Sequence, residues 1–335
     1  PARNRGGTVK SRPPPLASAP PNAHTGGLMS LVVYLALIAA AVVALRHGPG
    51  RALLAVYLPV LLLIPDGLRA ITPGIPDPNF NQAAILPIVW LAWLRHRAAW
   101  RWRAMDGVVG LYALWVALSD YSNRGYADAQ NLMFGVLLSV LAPYFVARWV
   151  IAAERLDVAL AQRIVALVAG VALVGFWEFR FGFNPFRALL APFFPGQGDG
   201  WVTTFRHGVA RVAGPYSHAI LAGIVMVLAY RLQRWLQWGG HGPQRFARLP
   251  WLPISRPALL TALLATGALM TIARGPWVGA LVAAAGVAVG RAANRPPGVH
   301  HEPADHLPVA VRHRLRVPAR RLQLGELFAR HRQRL

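Results

Sequence analysis

The sequence of 335 residues contains no cysteine, and its acidic residues are scarce, with 12 Asp and Glu against 35 Lys and Arg. The absence of cysteine excludes disulfide bonds, thiolate zinc sites and a cysteine nucleophile. Gly-rich phosphate loops and dinucleotide-binding fingerprints are also missing, and no spacing of His and carboxylate residues is typical of a metal site. We therefore expect neither a metal nor a cofactor.

Charged residues of both signs make up only 14% of the chain, whereas apolar residues make up 55%. A soluble domain has about 25% charged residues, so this balance favours a membrane protein. The apolar residues occur in repeated runs, several of them shorter than the ~20 residues that a straight span needs. We predict an all-α, polytopic transmembrane helical bundle of about nine spans, namely Met29–Leu45, Ala52–Ile64, Asn79–Leu94, Met105–Leu118, Asn131–Ala147, Ile164–Trp177, Pro215–Tyr230, Pro257–Ile272 and Pro276–Gly290.

The connections between these runs alternate between two kinds. One kind is rich in Arg and His and comprises Arg46–Arg51, Arg95–Arg103, Arg148–Arg163, Arg231–Arg256 and the tail from Arg291. The other kind carries acidic residues and comprises Pro65–Gln82, Ser119–Gln130, Glu178–Gly214 and Ala273–Gly275. The positive-inside rule makes the first kind cytoplasmic and the second extracytoplasmic. The same pattern accounts for the net charge of +23, so we expect no nucleic-acid partner.

The predicted domain organisation has three parts. Residues 1–28 read as a disordered or non-native leader, residues 29–290 as the transmembrane domain with one larger extracytoplasmic loop at 178–214, and residues 291–335 as a basic, disordered tail. Apolar residues at helical spacing within Arg148–Arg163 further predict a short amphipathic helix on the inner membrane surface.

The predicted outer loop is net positive on the side of the membrane where positive charge is disfavoured. It contains Arg206 and Arg211, and Arg274 stands in the short turn between the last two spans. Guanidinium groups at the outer boundary suit an anionic ligand, and phosphate above all, because their planar N–H forks bind it bidentately. We expect Arg211 and Arg274 to bind such a ligand.

Structural roles are the alternative for each of the outer arginines. Arg180, Arg187 and Arg206 are expected to snorkel, to cap helix ends or to pair with Glu178 and Asp199. His218 begins a span and, taken alone, is expected to serve helix packing or hydrogen bonding, while His207 is expected to be exposed on the loop.

Two short motifs carry a family resemblance. The first runs from Arg211 through Gly214-Pro-Tyr-Ser to His218, and the second is Thr271-Ile-Ala-Arg274-Gly. With Glu178 and the stretch Phe181-Gly-Phe-Asn upstream, their order and spacing resemble the O-antigen ligase and O-antigen polymerase superfamily of bacterial envelope glycan enzymes. The resemblance covers Ile164–Gly290. Two positions depart from the superfamily pattern: Ala273 replaces the usual Ser before the Arg, and Ala219 replaces the usual Pro after the His.

The resemblance implies a metal-independent, inverting glycosyl transfer in O-antigen or exopolysaccharide biosynthesis. The donor would be a glycan on undecaprenyl pyrophosphate, and the acceptor would be a hydroxyl group of a glycan, lipid or protein at the extracytoplasmic face of the bacterial inner membrane. Arg211 and Arg274 would bind the pyrophosphate, with Glu178, Arg206 and His218 in support. Membrane lipids are further expected partners, and no residue is assigned as the catalytic base.

Two alternatives stay open. After the helix that matches Pro276–Gly290, the superfamily continues into a long periplasmic loop that carries a His thought to be catalytic, whereas this chain continues into an Arg-rich tail. An inactive, truncated or disrupted copy of the enzyme is therefore one alternative. The other is a transporter or flippase for an anionic or lipid-linked solute, in which the same arginines bind the solute without chemistry.

Overall fold

The computed structural model describes residues 31–70, 76–97, 101–194, 197, 201–241 and 255–293, and these are mostly helical. The helices are α1 Val33–His47, α2 Pro49–Leu63, α3 Phe80–His96, α4 Ala104–Arg124, α5 126–154, α6 Asp157–Phe181, α7 Pro185–Leu190, α8 Ala219–Trp238, α9 Arg256–Met270 and α10 Arg274–Ala293. The strands β1 Thr204–Arg206 and β2 Val209–Arg211 pair antiparallel. Short π-helical stretches interrupt α2 at Leu53–Tyr57 and α5 at Leu137–Leu141 and Ala147–Ile151, and a 3-10 turn, Ala191–Phe193, follows α7.

Each of the nine predicted apolar runs overlaps a helix of the described chain, so the helical class is confirmed. Three helices are long and apolar enough to cross a membrane, namely Gln130–Glu154, Asp157–Phe181 and Ala219–Trp238. Four further apolar helices are shorter: Val33–His47, Pro49–Leu63, Arg256–Met270 and Arg274–Gly290. The number of crossings and the side of the membrane on which each connection lies remain predictions.

Large apolar side chains are exposed along several helices. Leu111, Trp115 and Leu118 on α4 are 65%, 72% and 52% exposed, and Leu281 and Val282 on α10 are also exposed. Soluble proteins rarely leave such residues in contiguous patches. This surface is typical of helices that face lipid.

The predicted amphipathic helix over Arg148–Arg163 is wrong. Helix α5 continues to Glu154, and α6 begins at Asp157. Between them Arg155 adopts the left-handed conformation, with φ 52°, which turns the chain sharply. The apolar spacing in this segment therefore belongs to the ends of two long helices rather than to one surface helix.

Arg148, the first residue of that segment, faces a buried carboxylate. It forms an ion pair with Asp106, which is 1% exposed, and Tyr144 donates a hydrogen bond to Asp106 Oδ1 at 2.7 Å. The backbone N–H of Arg103 donates to Asp106 Oδ2 at 2.9 Å, which caps the start of α4. These contacts attach α4 to α5.

The core consists of two apolar clusters. The first joins α1, α2, α3 and α5 and includes Ile85 and Ile88, both 0% exposed. The second joins α6, α8 and α9 and includes Val168, Met226 and Leu264, also 0% exposed. The second cluster supports the segment between α6 and α8 and the turn between α9 and α10, where the predicted site residues lie.

The contacts within the chain divide it into a unit that ends at Val282 and a second unit that begins at Ala283. Of the second unit, the described part is the end of α10, up to Ala293. The predicted leader, residues 1–28, and the predicted tail beyond Ala293 lie outside the described residues.

Candidate functional site

Glu178 lies in the last turn of α6, and its side chain is fully buried. Its Oε2 accepts hydrogen bonds from the backbone N–H groups of Ala213, at 3.2 Å, and Gly214, at 2.8 Å. Its Oε1 accepts from Thr203 Oγ1, at 2.9 Å, and from Asn184 Nδ2, at 3.3 Å. The carboxylate therefore attaches three parts of the following segment to the end of α6.

These contacts correct two expectations about Glu178. It belongs to a helix rather than to an outer loop, and its hydrogen-bond partners in the described chain are neutral groups rather than arginines. Asp199, the other predicted carboxylate partner, lies outside the described residues.

Gly214 occupies a position that only glycine fits. Its φ is 61°, in the left-handed region, and a Cβ would lie 3.1 Å from Val171 Cγ1. Its carbonyl oxygen accepts hydrogen bonds from Asn184 Nδ2 at 2.6 Å and from Trp201 Nε1 at 3.1 Å. The glycine of the first motif thus lets the chain approach α6 closely enough to reach Glu178.

Arg206 and Arg211 both lie on the β-hairpin. The two-residue turn that joins its strands, His207–Gly208, has φ of 51° and 77°, as a type I′ turn requires. Register pairs Thr204 with Arg211 and Arg206 with Val209, so these residues share one face of the hairpin. The hairpin was not predicted from the sequence; the only local signal for it is Gly208 after His207 between short alternating segments.

The hairpin is attached to the turn between α9 and α10. Arg211 Nε donates to the carbonyl oxygen of Thr271 at 3.2 Å, and Arg206 Nη1 donates to that of Ile272 at 3.1 Å. The backbone N–H of Val212 donates to Met270 O at 3.2 Å. Arg211 therefore lies on strand β2, and its side chain reaches the second motif through a hydrogen bond.

The turn that receives these arginines is itself constrained. Ile272 adopts φ 46°, which is strained for a β-branched residue. Thr271 is fully buried and donates to Ala268 O at 2.8 Å, while Trp277 Nε1 donates to the same oxygen at 2.9 Å. Arg274 follows as the first residue of α10 and is exposed.

The helix that follows the first motif packs directly against the second motif. A Cβ on Gly223, in α8, would lie 2.8 Å from Pro276 Cγ and 3.0 Å from Thr271 Oγ1. Helix α8 therefore contacts the turn and the start of α10 at a point that has no room for a side chain. This packing places Thr271 of the second motif against α8.

His218 is the N-cap of α8. Its Nδ1 accepts a hydrogen bond from the backbone N–H of Ile220 at 3.1 Å, and the ring is exposed. The residue thus begins the helix, as predicted, and makes the hydrogen bond that its position favours. Its supporting role at a binding site remains a prediction.

The arginines of the hairpin have no acidic partner in the described part of the chain. Their described partners are the carbonyl oxygens of Ile272, for Arg206, and of Thr271, for Arg211. Burial and the neighbouring charge of Arg206 lower the pKa of Arg211, which is only 7% exposed. A guanidinium group stays charged at neutral pH despite such a shift, so positive charge is concentrated at this turn.

A pocket of about 480 Å³ lies beside the Glu178 contacts. Asn184 and Thr203, two of the donors to Glu178, line it together with Arg187 and the apolar side chains of Phe183 and Val202. Asn184 also accepts from the backbone N–H of Phe186 and of Arg187, which caps α7. The pocket therefore combines one cation with apolar walls next to the carboxylate.

Two further residues of the site were not singled out from the sequence. Thr203 has no motif that could have revealed it. Tyr216 stands inside the first motif, and its side chain is 8% exposed; its hydroxyl makes no hydrogen bond within the described chain, and burial raises its pKa. A buried hydroxyl without a partner is uncommon and calls for an explanation.

Within the described ranges, no three His, Asp or Glu side chains are grouped so that they could hold a metal ion. Comparison of the chain with protein-family models, with curated proteins and with solved structures finds no match.

Proposed function

We propose that this chain transfers a saccharide from undecaprenyl pyrophosphate to a hydroxyl group of a glycan, lipid or protein acceptor at the extracytoplasmic face of the bacterial inner membrane. One observation carries the proposal: Arg206 and Arg211 share a hairpin face, and each donates to a carbonyl of the turn that leads into Arg274. The resemblance of the two motifs to O-antigen ligases and polymerases supplies the reaction class.

The charges at this turn favour an anionic ligand. Two guanidinium groups that share one turn repel each other, and neutral carbonyl oxygens compensate only part of their charge. Each arginine has five N–H donors, and the described contacts use one of Arg206 and one of Arg211. A pyrophosphate supplies both the opposite charge and oxygens that match the remaining N–H groups.

The same groups assist the proposed reaction. When the bond between the anomeric carbon and the phosphate oxygen breaks, negative charge accumulates on the departing pyrophosphate. Arg211 and Arg274 stabilise that charge without needing to reorganise, because the hairpin and the turn already hold the backbone in place. The acceptor hydroxyl attacks the opposite face of the sugar and loses its proton to a base, which inverts the anomeric configuration.

Glu178 acts as a positioning residue in this proposal. Its two oxygens already accept four hydrogen bonds, so the carboxylate has little capacity to accept a proton from an acceptor hydroxyl. Its contribution is to hold Ala213 and Gly214 against α6, which directs Arg211 toward the turn.

The test measures release of undecaprenyl pyrophosphate from a lipid-linked glycan by the full chain in proteoliposomes, with a candidate acceptor added. We expect Arg211→Ala and Arg274→Ala each to lower the rate by about 10²–10³-fold, the usual loss when one donor to a developing anion is removed. Arg211→Lys preserves the charge but not the planar fork and should recover only part of the rate.

Arg180→Ala is the matched control, because Arg180 is exposed at the end of α6 and stacks on Phe181 with 5.6 Å between its Cζ and the ring centroid. It should retain the wild-type rate. Equal rates in the wild type and in both arginine variants would contradict the proposal. Movement of the lipid-linked glycan across the bilayer without release of pyrophosphate would assign the arginines to transport, and donor binding without turnover would indicate an inactive copy of the enzyme.

A further inference from the structure

A second pocket, of about 440 Å³, lies at the opposite end of α6 from Glu178. It is formed where α2 meets the corner between α5 and α6, and its polar lining consists of His47, Arg51, Glu154 and Arg163. Arg163 and Glu178 are 15 positions apart on one helix, which at 1.5 Å per residue separates them by roughly 22 Å. The pocket is therefore distinct from the proposed glycan site.

A backbone contact holds the Arg163 side chain at this pocket in place. Arg163 Nε donates to the carbonyl oxygen of Leu54 at 3.3 Å, which fixes the guanidinium across the mouth of the groove between α2 and α6. Arg51 lies in the first turn of α2, two residues after Pro49. In the described ranges neither guanidinium is paired with a carboxylate.

The one carboxylate of the pocket is already engaged. Glu154 Oε1 lies 3.8 Å from His96 Nε2, which makes an ion pair when the imidazole is protonated, and its Oε2 lies so close to Gly50 that a Cβ there would clash with it. Arg95 is also near, since a Cβ on Gly48 would lie 2.9 Å from its Nη1. The pocket and its rim thus keep an excess of positive charge.

The remaining walls of the pocket are apolar. Leu54 and Ala55 come from α2, and Leu156 and Ala159 come from the start of α6. Helix α6 is one of the helices long and apolar enough to cross a membrane, so the pocket lies at one boundary of an apolar segment. A ligand that fits needs an anionic head beside an apolar body.

We infer that this pocket binds the phosphodiester headgroup of an anionic phospholipid, with Arg51 and Arg163 on the phosphate and the acyl chains along α2 and α6. Guanidinium forks bind phosphate oxygens bidentately, and basic pockets between membrane helices recognise lipid headgroups in this way. The inference is independent of the proposed glycan transfer, because it shares no residue with that site.

The test uses the full chain, purified in detergent and equilibrated with equal amounts of phosphatidylglycerol and phosphatidylcholine, with native mass spectrometry to count the bound lipids. We expect the wild type to be enriched in phosphatidylglycerol. Arg51→Gln and Arg163→Gln should each reduce the enrichment about fivefold, and their combination should abolish it. Arg46→Gln is the matched control, because Arg46 is a neighbouring exposed arginine that does not line the pocket.

Two measurements on the wild type keep the inference testable if the double variant fails to fold. Enrichment in phosphatidylglycerol should fall as the salt concentration rises, while binding of phosphatidylcholine should not change. Displacement of the bound lipid by inorganic phosphate would support the phosphate group as the recognised chemistry. Three results would each overturn the inference. They are an enrichment in phosphatidylglycerol that does not change with salt, equal losses of enrichment in the control and the pocket variants, and binding of inorganic phosphate without any lipid enrichment.

Discussion

Replacement of Glu178 by Gln or Ala tests how the candidate site is held together. The buried carboxylate receives two backbone N–H groups, of Ala213 and Gly214, on one oxygen and two side-chain donors on the other. In Glu178→Gln the amide oxygen can still accept from the backbone, and the amide NH₂ can donate to Thr203 once its hydroxyl rotates.

The Gln variant therefore loses the charge and the hydrogen bond from Asn184 Nδ2, because that donor would face the amide NH₂. Hydrogen bonds to a charged group contribute about 1.5–3 kcal/mol and neutral ones about 0.5–1.5 kcal/mol, so weakening the two backbone bonds by about 1 kcal/mol each lowers the free energy of unfolding by about 2 kcal/mol. In Glu178→Ala both buried N–H groups are left without a partner, at about 1–3 kcal/mol each. With the cavity that remains, we expect a loss of about 4 kcal/mol or more.

The assay measures unfolding of the full chain in detergent by denaturant or heat. Binding of the lipid-linked glycan donor is measured on the same variants. Glu154→Gln is the control, because the Glu154 side chain is 32% exposed and its ion pair with His96 is long, at 3.8 Å; it should cost less than about 1 kcal/mol. A Glu178→Ala variant as stable as the wild type would refute the reasoning. A Glu178→Gln variant of unchanged stability that binds donor but releases no pyrophosphate would make Glu178 a catalytic residue instead of a positioning one.

Two further predictions concern residues of the first motif and the helix that it begins. Gly223→Ala places a Cβ 2.8 Å from Pro276 Cγ, so we expect α8 and the start of α10 to separate and the free energy of unfolding to fall by about 1–3 kcal/mol. Gly170→Ala is the control: a Cβ there meets nothing within 4 Å, so the substitution should stabilise α6 slightly. Equal effects of the two substitutions on unfolding would contradict the packing argument. Tyr216→Phe removes a buried hydroxyl that has no hydrogen-bond partner among the described residues. The melting temperature of this variant should therefore match or exceed that of the wild type, and its free energy of unfolding should rise by up to about 1 kcal/mol. A clear loss of stability would show that the hydroxyl is bonded, and a loss of donor binding alone would place it against the ligand.

The two pockets lie near opposite ends of α6, and their electrostatics differ. The pocket at the end of α6 contains Arg187 and adjoins the carboxylate of Glu178, which accepts hydrogen bonds from four uncharged donors. The pocket at the start of α6 has Arg51 and Arg163 around a carboxylate that is turned toward His96. One helix therefore supports a proposed glycan site and a proposed lipid site that can be tested separately.

The helical class and the approximate position of the helices on the nine apolar runs followed from the sequence alone, whereas α7 was not predicted. Apolar runs and local start signals decide these features: Asn79 and Gln82 form the capping box of α3, and His218 caps α8. Such signals act over a few residues, so they are readable without the fold. The break at Arg155 was missed because a single left-handed residue leaves the apolar spacing on both sides unchanged.

The sequence by itself determined that this is a helical chain of membrane character. The evidence is its composition and the alternation of apolar runs with arginine-rich connections, because a helix buried in lipid or in a core requires apolar residues along its length. Only the tertiary structure decided that Glu178 holds a loop 36 residues away and that Arg211 reaches Thr271, 60 residues away. These contacts join segments that are distant in the sequence, and no local sequence pattern predicts that they are neighbours. Packing of α6, α8 and α9 brings these segments together, and for that reason Arg211 of the first motif reaches the turn that carries the second motif.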